Sequence, residues 1–208
     1  MLGDLSKFYE SNGEPSCVST GWGDAGGKSY GMYQFSSTMG IVQNYLDWID
    51  AKGYWFAKNL KAETIGSEAF DAVWKNLGVG ANKKDFATSQ HDYVKTLYYD
   101  VACRYLAGNY FTAEKHSAVM QDVIWSRAVQ YGPGQIVDML TEAVHKLGYP
   151  NLSYVDHKMF DAAMIKSIYD VCHTEEWTNG SPSLRAGLYS RFEREGQQAL
   201  EMLQKELQ

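Results

Sequence analysis

The chain has 208 residues, 45% of them hydrophobic, enough to bury a sizeable core in one domain and to exclude a disordered segment. A net charge of −6 without a Lys/Arg cluster argues against a nucleic-acid binder, and no apolar run approaches membrane-spanning length. The three cysteines, Cys17, Cys103 and Cys172, are odd in number and far apart, so no disulfide framework is indicated.

Asp4 is suited to cap a short helix with Leu5, Phe8 and Tyr9 on one face. Asn12-Gly13-Glu14-Pro15 must end it, which places Glu10 in or just beyond its last turn. From Cys17 to Phe35 the composition turns to Ser, Thr, Gly and Tyr, with glycines at 21, 23, 26, 27 and 31; this reads as a hairpin or loop, the one β region expected.

Beyond it the periodicity is helical. Ser36 or Ser37 is expected to cap a helix carrying Met39, Val42, Leu46 and Ile49, and Ser67 another carrying Phe70, Val73, Trp74 and Leu77, stopped by Gly78. A long helix from about Asp85 to Leu106 is expected to bury Phe86, Tyr93, Val94, Leu97, Tyr98, Val101 and Tyr105 and to close at Gly108. Further helices are expected from Thr112 to Tyr131, stopped by Gly132-Pro133-Gly134, around Ile136 to Leu147, ended by Gly148-Tyr149-Pro150, from Ser153 through Val171, and a last one capped by Ser183 after the Thr178–Pro182 loop. The fold class expected is mainly α with a small β-hairpin near the N-terminus, as one domain over 1–208.

Glu10 and Asp24 are the candidate catalytic carboxyls. Cleavage of a glycosidic bond needs one carboxyl kept protonated as an acid and one kept ionised as a base or nucleophile, so two carboxyls in unlike settings suit it. Phe8 and Tyr9 adjoin Glu10, and Trp22, Tyr30 and Tyr33 are able to fold over it, so desolvation is expected to raise its pKa. Asp24 lies fourteen residues later between glycines, in a polar setting that keeps it ionised. If Tyr30 to Gln34 is extended, Tyr30, Met32 and Gln34 share one face and Gly31 and Tyr33 the other, so at least one tyrosine belongs to the core.

Cys17 as a thiol nucleophile lacks a recognisable His partner, the five histidines show no zinc spacing, and Gly27-Lys28-Ser29 lacks the first glycine of a phosphate loop. No metal and no cofactor are expected.

Glu10-Ser11, Gly23-Asp24-Ala25-Gly26-Gly27-Lys28-Ser29-Tyr30-Gly31-Met32-Tyr33-Gln34, and more weakly Trp125–Gly132 and Arg191–Glu195, resemble the lysozyme-like muramidase domains of phage endolysins, tail lysins and type VI secretion spike proteins, which are related in fold to bacterial chitosanases. The resemblance implies a two-lobed, lysozyme-like helical domain that cleaves β-1,4 bonds of peptidoglycan by a single displacement. In it Glu10 is the general acid, Asp24 the general base and Ser29 the residue that positions water. Gln34 with Tyr30 or Tyr33, together with Trp22 and Gln130, are the expected substrate contacts. The alternatives are a chitosanase-like glycosidase, a lytic transglycosylase, and a non-catalytic wall-binding or structural domain.

The expected partners are peptidoglycan glycan strands, with an immunity protein or a separate wall-binding module as the protein partners to look for, and the expected state is a monomer. The N-terminus lacks a basic stretch followed by an apolar one, so action at the cell wall or periplasm is expected to depend on a holin, a phage particle or a secretion apparatus.

Overall fold

The structure is a computed structural model that describes residues 2–5, 13–20, 27–178 and 185–208. The chain divides into two compact units, one of Ser6–Thr96 and one of Met1–Leu5 with Leu97–Gln208.

The Ser6–Thr96 unit opens with the expected hairpin. Strand β1 (Ser29–Tyr30) pairs antiparallel with β2 (Phe35–Ser36), Ser29 facing Ser36 and Tyr30 facing Phe35. Helices α1 (Ile41–Ala51), α2 (Ala57–Lys61), α3 (Glu68–Leu77) and α4 (Lys83–Val94) follow. Ser67 caps α3, its hydroxyl accepting from the Phe70 amide at 3.1 Å, and Gly78 closes it, both as expected. The α1 helix starts later than expected, with Gly40 in the left-handed region as its cap, and Met39 stands 73% exposed ahead of it. Helix α2, only five residues long, has no periodicity to announce it.

Aromatic rings fill this unit's core. Trp74 contacts Tyr30 at 5.2 Å, Tyr45 at 5.6 Å and Phe86 at 4.9 Å between ring centres. Phe35 adds contacts to Tyr45 at 5.1 Å and Tyr93 at 5.3 Å. Each well-placed pair adds about 0.5–1.5 kcal/mol beyond its area burial. Much of the aromatic content thus serves packing.

Helix α4 runs through a π-helical turn, Lys95–Tyr99, directly into α5 (Asp100–Gly108). The π turn adds a residue and steps the buried register by one. Up to Val94 the expected stripe holds, with Phe86, Tyr93 and Val94 buried; after the turn Tyr99, Ala102 and Leu106 are buried, while Leu97 and Tyr105 are exposed. The pure α reading fails there because it counts through a turn that is not α-helical.

The second unit centres on α6 (Ala118–Tyr131), buried on nearly every side from Val119 to Ala128, as suits the central helix of a bundle. Around it are α7 (Ile136–Lys146), α8 (Asp161–Cys172), the short α9 (Glu175–Thr178) and α10 (Arg185–Glu206). Ser117, not Thr112, caps α6 by accepting from the Met120 amide at 3.0 Å. The Glu206 carboxylate on α10 accepts from the Ala118 and Val119 amides at 3.0 and 3.1 Å, satisfying two more of its orphan donors. Helix α8 begins at Asp161 rather than Ser153, because two short 3₁₀ turns, Leu152–Val155 and Lys158–Phe160, occupy the interval. The expected Ser183 cap lies outside the described residues. No helix among the described residues is long and apolar enough to cross a membrane.

Candidate functional site

The hairpin is held from three sides. Val18 forms an isolated antiparallel bridge to Tyr30: the Ser19 amide donates to the Ser29 carbonyl at 2.9 Å, and the Gly31 amide to the Cys17 carbonyl at 2.8 Å. The Ser29 amide in turn donates to the Ser19 hydroxyl at 2.8 Å. At the turn, Gly31 has φ +77°, and a Cβ there would lie 2.3 Å from Oε1 of Gln90, so only glycine fits. That Gln90 oxygen accepts from the Met32 amide at 2.8 Å, and its Nε2 donates to the Pro15 carbonyl at 3.1 Å. Gly27 is constrained likewise: at φ +67°, a Cβ would lie 2.7 Å from both Ser37 Oγ and Thr38 Cγ2.

Gln34 ends the turn with φ +51°, one of two non-glycine residues with positive φ among those described. Its Nε2 donates to the Gly31 carbonyl at 3.0 Å, which fixes the carboxamide against its own turn. A side chain held in a sparsely populated backbone region marks a position worth testing for function. Because Gly31 to Gln34 form a turn, the alternation expected of an extended segment does not apply, and Tyr30, Met32 and Tyr33 are all buried.

Tyr30, expected as one of two possible substrate contacts, is a core residue: its ring is fully buried against Phe70 and Trp74, and its hydroxyl donates to Asp71 Oδ1 at 2.5 Å. Burial and the neighbouring Asp71 carboxylate push its phenol above the ordinary value. Lys28 Nζ donates to Asp71 Oδ2 at 2.6 Å and to the Gly66 carbonyl at 2.9 Å. Burial acts to raise the Asp71 carboxyl, yet Lys28 and Tyr30 outweigh it and hold it below the usual carboxylate range. This Lys28–Asp71–Tyr30 network anchors β1, with Asp71 lying 43 and 41 residues from its two partners in sequence.

Tyr33 is also buried, with its hydroxyl 2.9 Å from His91 Nδ1 and its ring stacked on Phe35. Ser29 is half-buried at the start of β1. Glu10, Trp22 and Asp24 lie outside the described residues. The structure therefore brings together Ser29, Tyr30, Tyr33 and Gln34 on one hairpin, whereas Gln130 belongs to the other unit, on a cavity of about 320 Å³ with Tyr131, Gln135 and Trp177.

The two weaker sequence motifs meet inside that second unit. Arg127 Nη2 donates to both oxygens of Glu195 at 2.8 Å, and both side chains are fully buried. Glu195 also accepts from Tyr169 at 3.0 Å and from the Ser126 hydroxyl, and the guanidinium lies over the rings of Phe192, Tyr169 and Tyr131. Burial opposes ionisation of both groups, but each is held charged by the other. The three cysteines are free thiols. Among the described residues no group of three or more His, Cys, Asp or Glu side chains is arranged to hold a metal ion.

The sequence family described as type VI secretion system spike protein VgrG3-like, C-terminal, matches residues 2–196. The chain is 32% identical over 202 residues to the type VI secretion system spike protein VgrG3 of Vibrio cholerae serotype O1 (strain ATCC 39315 / El Tor Inaba N16961). That match covers 97% of this chain and 19% of the relative, so the chain spans about a fifth of the relative's length. Among solved structures, native chitosanase from Bacillus subtilis MY002 superposes with a TM-score of 0.63 at 17% identity, covering 96% of this chain and 87% of that one. A chitosanase complex gives 0.60 at 16% identity, covering 86% and 78%. The fold is accordingly the mainly α, lysozyme-like fold of the chitosanases, with its small hairpin near the N-terminus.

Proposed function

We propose, from the premise that the chain belongs to the VgrG3-like C-terminal family of type VI secretion system spike proteins, that it is a glycoside hydrolase that cleaves β-1,4 bonds of peptidoglycan. The observation that carries the reading is the hairpin: a rigid support for Ser29 and Gln34, in a chitosanase-like fold, preceded in the chain by Glu10 and Asp24.

In this mechanism Glu10 donates a proton to the leaving glycosidic oxygen while Asp24, ionised, takes a proton from the attacking water. Ser29 holds that water. Gln34 fixes the sugar by hydrogen bonding, and Tyr33 supports the turn that carries Gln34. An inverting displacement of this kind needs the two carboxyls about 6.5–9.5 Å apart so that water fits between sugar and base. Trp22, in the same unit as Glu10 and Asp24, would contact the glycan. The secretion spike would deliver the domain to the cell wall of a neighbouring bacterium, and a protein that blocks the catalytic carboxyls would protect the producer.

A second reading, chitosan hydrolysis, is favoured by two observations: the two solved structures described above are chitosanases, and the net charge of −6 suits a cationic glycan. Mass spectrometry of products from purified peptidoglycan and from chitosan, with wild type, Glu10→Gln and Asp24→Asn, decides between them. Reducing N-acetylmuramic acid ends from wild type alone support the peptidoglycan reading. Anhydro ends would indicate a transglycosylase, products from chitosan alone the second reading, and no products from either substrate would overturn both.

A further inference from the structure

We infer that the second unit carries an accessory glycan-binding site centred on Tyr110; its choice of polymer rests on the peptidoglycan reading above. Helix α5 ends in a Schellman-type cap, with the Phe111 amide donating to the Leu106 carbonyl at 3.0 Å and the Tyr110 amide to the Ala107 carbonyl at 3.2 Å. The residue at the left-handed position of such a cap is ordinarily glycine. Here it is Tyr110, at φ +64°, while Gly108 sits two residues too early. The tyrosine does not compensate by packing, since it is 74% exposed. A strained backbone that holds an aromatic ring out in solvent is explained by what the ring contacts.

The ring borders a cavity of about 400 Å³ whose other walls are Asn109, Thr141, Asn151, Leu152 and Ser153. None of these side chains is charged. Asn109 uses its amide nitrogen to donate to the Tyr105 carbonyl at 2.8 Å, which commits its nitrogen and not its side-chain oxygen. Asn151 uses its side-chain oxygen to accept from the Ser153 amide at 3.0 Å and hydroxyl at 2.6 Å, which commits its oxygen and not its nitrogen. A neutral wall with amide donors, an amide acceptor and hydroxyls matches the hydroxyl and acetamido groups of an N-acetylated sugar, and the exposed ring matches its C–H face. Among these lining side chains there is no cation for a phosphate and no countercharge for a strongly charged peptide. On a long polymer, a second point of attachment raises the effective concentration of chain at the hydrolytic site without altering that site.

The test is co-sedimentation with purified peptidoglycan sacculi on ice, for wild type, Tyr110→Gly and Tyr110→Phe, alongside thermal midpoints and wild-type hydrolysis of the same sacculi. Tyr110→Gly relieves the left-handed strain, so it should melt at or above wild type yet bind sacculi about three- to tenfold more weakly, while Tyr110→Phe keeps wild-type binding. Equal binding by Tyr110→Gly, a lowered midpoint for it, or no binding by wild type overturns the inference. If wild type binds and Tyr110→Gly does not, but no sugar bond is cut, the accessory site stands and the hydrolase reading falls.

Discussion

Arg127 and Glu195, 68 residues apart in sequence, form a fully buried two-point ion pair at 2.8 Å that ties α6 to α10. Removing one partner leaves the other charged and unpaired in a medium that cannot solvate it, which costs about 3–5 kcal/mol. Arg127→Met and Glu195→Leu are each expected to lower stability by that amount in urea denaturation. The double variant should recover a large part of the loss, because two apolar side chains need no solvation there.

Gly31→Ala should destabilise the Ser6–Thr96 unit by about 2–4 kcal/mol, since it combines a positive φ with a Cβ placed 2.3 Å from Gln90 Oε1. Pairing it with Gln90→Ala should remove the clash but not the backbone strain. Denaturant midpoints of the two single variants and the double variant separate the contributions.

Gln34→Gly relieves a left-handed backbone while deleting the side-chain hydrogen bonds to the Gly31 carbonyl at 3.0 Å and to Cys17 Sγ at 3.5 Å, so its stability should stay within about 1 kcal/mol of wild type. Its hydrolysis of glycan should nonetheless fall at least about tenfold if the carboxamide holds substrate. Equal losses of stability and activity would reduce Gln34 to a turn residue.

Protonation of Asp122 and Asp71 should move stability in opposite directions. Burial pushes the Asp122 carboxyl up from the ordinary 3.8 to about 6, against the Leu5 and Gly3 amides that donate to it. The folded state therefore binds this proton more tightly than the unfolded chain, and the contribution is fully present below about pH 3.8 and lost as pH rises to about 6, at most about 3 kcal/mol. Asp71 is shifted the other way, so its contribution is present above pH 3.8 and lost as pH falls through its lower folded value. Asp122→Asn should flatten the slope of stability between pH 4 and pH 6, and Asp71→Asn the fall below it, in denaturation series across pH.

These cases also show which features local sequence carries. Ser67 and Gly78 were legible because a cap and a stop act within one turn of the residues that name them. The hairpin and the terminal glycines Gly132 and Gly148, at φ +83° and +84°, were legible for the same reason. The π turn was not, because Leu97, Tyr98 and Tyr105 fit an α-helical stripe as well as Tyr99 and Leu106 fit the observed one. The Arg127–Glu195 pair and the Lys28–Asp71–Tyr30 network were not legible, because their members lie tens of residues apart in sequence. Ser153 looked like a helix start because Asn151, the residue that caps the 3₁₀ turn there, competes through the same local chemistry.

The π turn between Lys95 and Tyr99 has a genealogical consequence. A one-residue insertion into a continuous helix ordinarily scrambles everything downstream, and survival is easiest where the downstream helix faces a core of its own. The turn sits where the chain leaves one compact unit for the other, so each side keeps an unbroken stripe of its own. In relatives that lack the extra residue, the compensating gap in an alignment is expected to fall inside these five positions, and the lineage of the insertion can be traced from that gap.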